Sequence, residues 1–249
     1  MNPSAFRNIV TIAKREWAGF FASPIAYIFI VIFLLLAGFF TFMVSNWFAM
    51  GQASLNGFFV WHPWLYLFLV PAVGMRMWSE ERRLGTIELL LTMPITPWQA
   101  IMGKFLAAWA VLGLALALTF PMVLTVNFLG HPDNGIILGA YVGSFLMAGA
   151  YLAVTSMTSA LSRNQVVSFI LSVVLCLFLI LAGFPPVTDL LVHWASPALV
   201  ETIASFSVMT HFAGLQKGVL DTRDLLFFAS VIGFSLFSTS VILRAHRAG

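Results

Sequence analysis

The stretch PIAYIFIVIFLLLAGFFTFMV, Pro24 to Val44, decides the fold class. It carries no charge over about 20 residues, the length at which a helix crosses the ~30 Å hydrocarbon core of a bilayer. Five further apolar stretches follow, at roughly Trp61 to Met77, Pro97 to Gly130, Gly135 to Ala160, Val166 to Phe184 and Leu225 to Leu243. The second is the shortest, and Pro63 and Pro71 predict a kink in it. Across all 249 residues the chain is 61% hydrophobic and 8% charged. A soluble domain carries about 25% charged residues. The expectation is an all-α polytopic membrane protein with six transmembrane helices, forming a single transmembrane domain over residues 1–249.

Lysine and arginine positions set the orientation. With a cytoplasmic N-terminus, Arg7, Lys14, Arg15, Arg76, Arg82, Arg83, Lys104, Arg163, Arg244 and Arg247 lie inside, and only Lys217 and Arg223 lie outside, ten of the twelve basic residues against two. The net charge of +3 therefore reflects membrane topology. No basic surface with interleaved aromatics supports a nucleic-acid partner. The single cysteine, Cys176, falls inside the fifth stretch, so there is no disulfide framework.

Outward from the first span, residues 1–22 read as a basic amphipathic helix lying in the membrane interface. Phe6, Ile9, Val10, Ala13, Trp17, Phe20 and Phe21 recur at helical spacing, opposite Arg7, Thr11, Lys14 and Arg15. The segment lacks the short apolar core and cleavage site of a signal peptide. Between the second and third spans, SEERRLGTIELLLTMPITPWQ (Ser79 to Gln99) concentrates Glu80, Glu81, Arg82, Arg83 and Glu88 in one loop. Ser79 is expected to cap a short helix with an acidic first turn, closed by Gly85 in the left-handed conformation. Thr86 to Met93 follows as a second amphipathic piece, ended by Pro94. Thr96-Pro97-Trp98-Gln99 then reads as a capping box opening the third span, with Lys104 snorkelling back to the interface.

Gly135, Gly139, Gly143, Ser144 and Ala148 place small residues every four positions or so on the fourth span, a pattern assigned to packing within the chain ahead of a dimer seam. Thr155, Ser156, Thr158 and Ser159 read as residues bonded to their own helix backbone. Residues 185–224 form the longest polar connection, expected as short amphipathic helices on the outer face. Its end carries Asp221, Arg223 and Asp224, read either as a charged rim at an outer gate or as helix capping alone.

The chemistry that is missing narrows the function. The spans hold no ionisable residue away from their ends to serve as a proton relay. Gly103-Lys104 is followed by Phe105 and lacks the rest of a phosphate-binding loop. There is no metal-protease, hydrolase or paired-cysteine motif, and the five histidines are scattered, leaving only His193 and His211 in one outer loop as a conceivable weak metal contact. The chain reads as a membrane body driven from elsewhere, not an enzyme. An ATPase-independent channel or a scaffold for envelope proteins is the alternative.

At MRMWSEERRLGTIELLLTMPITPWQAIMGKFLAAW (Met75 to Trp109) and again at HFAGLQKGVLDTRDLLFF (His211 to Phe228), the sequence resembles the permease subunits of type-2 ATP-binding-cassette exporters. It is most similar to the short permeases of the gliding-motility and nitrous-oxide-reductase-maturation group. That resemblance implies a bacterial inner-membrane location with both termini cytoplasmic. It implies two copies of a separate ATPase subunit holding ATP and Mg, a second permease chain identical or related, and in some systems an extracytoplasmic accessory protein. Membrane lipid is the other partner. Residues 79–96 would be the coupling helix docked to the ATPase, gripped through Glu80, Glu81, Arg82, Arg83 and Glu88, with Gly85 and Thr86 shaping the turn. A solvated loop that merely pins topology is the alternative reading of the same charges.

Overall fold

The computed structural model describes residues 3–49, 51–87 and 95–245. Every regular element among them is helical. Helix α1 (Pro3–Ala22) stops at the Ser23-Pro24 break, and α2 (Ile25–Phe39) continues into one π-helical turn, Phe40–Val44. Next come α3 (Asn56–Phe59), α4 (His62–Gly74) and α5 (Arg76–Leu84), then α6 (Pro97–Ala117) and α7 (Phe120–Leu129). Helices α8 (Asn134–Leu161) and α9 (Gln165–Leu181) precede three short helices, α10 (Pro185–Val192), α11 (Pro197–Ala204) and α12 (Val208–Gln216). Helix α13 (Thr222–Ala245) is the last.

Among the described residues, five segments are long and apolar enough to cross a membrane: Ile25–Val44, Asn56–Leu84, Pro97–Leu129, Asn134–Leu161 and Thr222–Ala245. Counting α9 with α10, bent by 64°, and α11 with α12, bent by 69°, raises the number to seven. The six spans expected from sequence fall between these limits. At 17 residues α9 sits at the lower edge of spanning length, which is why it does not count alone.

Helix α8 is the central post. It packs against α4, α5, α6, α9, α12 and α13 and is buried over most of its length. Lipid tails are as apolar as leucine, so close packing rather than apolar burial holds such helices together. The small residues of α8 permit that approach. A Cβ on Gly143 would lie 2.8 Å from Leu215 Cβ, and one on Gly139 would lie 3.0 Å from the Leu215 carbonyl oxygen. Helix α12 therefore buries Val208, Phe212 and Leu215 against α8.

The second segment departs from expectation at its charged end. The helix does not stop near Met77 to restart under a Ser79 cap. After a break at Met75 it continues as α5 through Glu80, Glu81, Arg82 and Arg83, and Ser79 is buried within it. Glu80 and Glu81 consequently sit in the second half of a helix rather than in its first turn.

Candidate functional site

The break at Met75 leaves the first N–H groups of α5 without helical partners, and α8 supplies them. Ser159 Oγ accepts from the backbone N–H of both Trp78 and Ser79, at 3.0 Å each, and donates to the Met75 carbonyl at 2.8 Å. One hydroxyl thus uses both acceptor sites and its proton. Ser156 Oγ accepts from the Trp78 indole N–H at 3.0 Å, and Ser79 Oγ donates to the Met75 carbonyl. The exchange is reciprocal, because Arg82 donates from its guanidinium to the Ala160 carbonyl in the last turn of α8. Each helix satisfies backbone groups that the other's terminus leaves open.

A second set of contacts ties α5 to α6 and α1. Lys104 Nζ lies 2.9 Å from Glu81 Oε1 and 3.3 Å from Glu16 Oε2, and 5.5 Å from the centre of the Trp78 ring. Lys104 is almost completely buried, its ammonium paired within the chain. Burial pushes the Glu16 carboxyl up, but the Lys104 and Arg15 charges outweigh it and hold the group below its ordinary 4.5. Helix α1 reaches this position by lying tightly over the start of α6, where a Cβ on Gly103 would come within 2.6 Å of Ile12. Asn8 also donates to Gln99 at 3.3 Å. Gln99 belongs to the capping box with Thr96 that opens α6. Between α1 and α5 remains a cleft of about 440 Å³, lined by Glu16, Phe20, Arg76, Glu80, Glu81 and Lys104. Glu81 Oε2 has no hydrogen-bond partner among the described residues.

The expected coupling residues are thereby divided. Glu81 and Arg82 turn inward, to α6 and α8. Arg83 is exposed, with Glu80 beside it at the 4.0 Å limit of an ion pair, and Leu84, Gly85 and Thr86 are exposed at the tip. Gly85 takes φ +71°, and nothing lies within 4 Å of a Cβ there, so backbone conformation alone calls for glycine. Glu88, with most of the second amphipathic piece, lies outside the described residues. Glu16 was not anticipated from the sequence. Its signal is a lone acid in register with Ile9, Ile12 and Gly19, the side of α1 that meets α6.

At the other end of the molecule, Asp221, Arg223 and Asp224 do not form one cluster. Asp221 Oδ1 accepts from the Arg223 backbone N–H at 2.9 Å, a capping contact at the start of α13. Asp224 instead pairs with His211 of α12, Nδ1 to Oδ1 at 2.7 Å. His211 Nε2 lies 3.0 Å from the Ser205 carbonyl oxygen, and the ring stacks on Phe227 with centres 4.1 Å apart. Both ring nitrogens thus have an oxygen partner. The Arg223 side chain is exposed. No group of three or more metal-ligating side chains occurs among the described residues.

Comparison with known proteins adds two findings. Residues 49–242 match the model of a family described as ABC-2 family transporter protein. The chain is also 32% identical over 149 residues to the inner membrane transport permease YhhJ of Escherichia coli K12, and equally to that of Shigella flexneri. Those alignments take in 57% of this chain and 36% of the relatives, so the chain spans about a third of the length of the curated proteins it matches.

Proposed function

Because the chain belongs to the ABC-2 family of transporter proteins, we propose that it is the membrane permease subunit of an ATP-binding-cassette exporter. It has six spans, both termini in the cytoplasm, and an inner-membrane location like that in the name of its relatives. Two copies of a separate ATPase subunit, which carry ATP and Mg, drive it. A second permease chain, identical or related, completes the path. Within the family the runs at Met75 to Trp109 and His211 to Phe228 favour the short gliding-motility and nitrous-oxide-reductase-maturation group.

The observation that carries this reading is the division of α5. Its inward residues, Glu81 and Arg82, are bonded to α6 and α8. Its outward residues, Glu80, Arg83, Leu84 and Thr86, lie on the other side, towards the Gly85 turn. A solvated linker needs no such anchoring, whereas a part that receives force needs a rigid root. Glu80, Arg83, Thr86 and Glu88 then meet the ATPase, Gly85 sets the turn, and Glu81 and Arg82 pass the displacement inward. On the outer side the start of α13 forms the gate rim, where Asp221 caps the helix, Asp224 holds it to α12 through His211 and Arg223 is the exposed charge. Trp194, 91% exposed, offers an extracytoplasmic accessory protein an aromatic contact.

Truncating one member of a buried interfacial charge pair costs ~2 to 5 kcal/mol, which weakens docking more than tenfold. Arg83→Ala and Glu88→Ala are therefore expected to reduce ATPase co-purification and transport-linked ATP turnover while leaving membrane insertion and monodispersity unchanged. Gly85→Val should do the same by misdirecting the tip. If all three variants bind and stimulate the ATPase like wild type, the loop is a solvated connector and an ATPase-independent channel or scaffold becomes the better reading.

A further inference from the structure

Where the ends of α5, α8 and α9 meet, a cavity of about 270 Å³ is lined by Arg83, Arg163, Asn164, Gln165 and Val166. Arg82, bonded to the Ala160 carbonyl, fixes a third guanidinium beside it. Three positive charges gather here, and the only carboxylate paired with any of them among the described residues is Glu80, 4.0 Å from Arg83. Arg163 has no acidic partner among those residues. The loop that carries it is held in shape, since Ser162 Oγ accepts from the Asn164 N–H at 3.0 Å and Asn164 Oδ1 caps Val166 N at 2.9 Å.

One lining residue connects this basic pocket to the bilayer. Val166, 62% exposed, begins a ridge that continues through Ile170 (53%), Val174 (42%) and Phe178 (65%). Steps of four residues keep these side chains on one face of α9, each about 6 Å further into the membrane. A pocket for negative charge thus opens directly onto an apolar track as long as the helix.

We propose that this is a binding site for an anionic phospholipid, its phosphate held by Arg163 with the fixed Arg82 guanidinium beside it, and one acyl chain laid along Val166, Ile170, Val174 and Phe178. A free phosphate would use the arginines but not the ridge. A second copy of the chain is a poorer occupant. A two-fold axis along the membrane normal keeps both copies at one height, so contact through this ridge would bring their arginines together.

The full-length chain, purified in detergent and stripped of lipid, is incubated with phosphatidylglycerol, phosphatidylcholine or inorganic phosphate at equal ionic strength. Bound molecules are counted by native mass spectrometry, alongside the thermal unfolding midpoint. Phosphatidylglycerol should be retained in preference to phosphatidylcholine and should raise the midpoint. A basic residue near anionic lipid is worth ~1 kcal/mol, so Arg163→Gln should lower retention about fivefold. Arg163→Lys should preserve most of it. Arg244→Gln, which removes an equal charge from the end of α13, should leave it unchanged. Equal retention of phosphatidylcholine, or an unaltered Arg163→Gln, overturns the proposal, and so does a midpoint shift reproduced by inorganic phosphate alone. Arg163 takes no part in the ATPase contact proposed above, which makes ATPase co-purification with Arg163→Gln a separate readout. A fall there with lipid retention intact would assign the pocket to the ATPase and sink the lipid site.

Discussion

Lys104 faces two carboxylates and an indole in a position nearly closed to solvent. Removing it would leave Glu81 without its cation and Glu16 with Arg15 alone. Breaking a fully buried pair costs ~3 to 5 kcal/mol and an exposed one ~0 to 1, and these carboxylates are about one-fifth exposed. Lys104→Ala should therefore destabilise the detergent-solubilised protein by about 1 to 3 kcal/mol, more than Glu16→Gln, by denaturant unfolding. The Glu16 carboxyl adds a pH dependence whose sign is fixed. Its folded-state value lies below 4.5, so its contribution is complete above about pH 4.5 and fades as acid takes the pH down through the lowered value. The stability difference between wild type and Glu16→Gln should shrink over that window. A difference that stays constant down to pH 3 would mean that Glu16 is not the titrating partner. Little of this was legible in the sequence. Beside Arg15, Glu16 reads as part of a solvated face, and Lys104 reads as a snorkelling cation, because the partners lie on helices whose approach only packing determines.

Helix α5 was harder to read than α8. Long apolar helices announce themselves by length, and the Thr96–Gln99 capping box and the Gly85 turn by local chemistry, so these features were visible at once. The role of the 155–159 hydroxyls was only half visible. Thr155 does bond its own helix, donating to Tyr151 O at 2.7 Å, but Ser156 and Ser159 bond Trp78 and Ser79, about eighty residues away. A serine facing backbone N–H groups of another helix has the same sequence signature as one folded back on its own. Ser159→Ala would strip both Trp78 N and Ser79 N of their acceptor. An unsatisfied buried group costs ~1 to 3 kcal/mol, so a loss in that range is expected for this variant. Ser162→Ala, in the exposed 162–164 turn, should cost much less. Equal stability of the two variants would refute the role given to Ser159.

The number of spans was the least legible property of the chain, and the reason lies in residues 185–224. Helices α10, α11 and α12 are each too short to cross a bilayer, and hydropathy cannot tell a surface helix from one that dips inward. Orientation is open to direct test. In a Cys176→Ala background, a cysteine at Asn134 or Ser205 should react with an impermeant thiol reagent from outside intact cells, and one at Thr86 should not. External labelling at Thr86 would invert the topology and remove the ATPase contact from the cytoplasm. The mutual bonding of α5 and α8 then bears on how a displacement travels. At 28 residues and ~1.5 Å per residue, α8 is a rod about 42 Å long. Its C-terminal end is clasped by α5, and its N-terminal part carries α12 against Gly139 and Gly143. On the coupling role proposed above, a push on the α5 tip would reach that rod through these hydrogen bonds. On that same role the opposite end of the lever would move α12, and with it the His211–Asp224 clasp to α13, so that a stroke at the α5 tip would arrive at the far end of the rod.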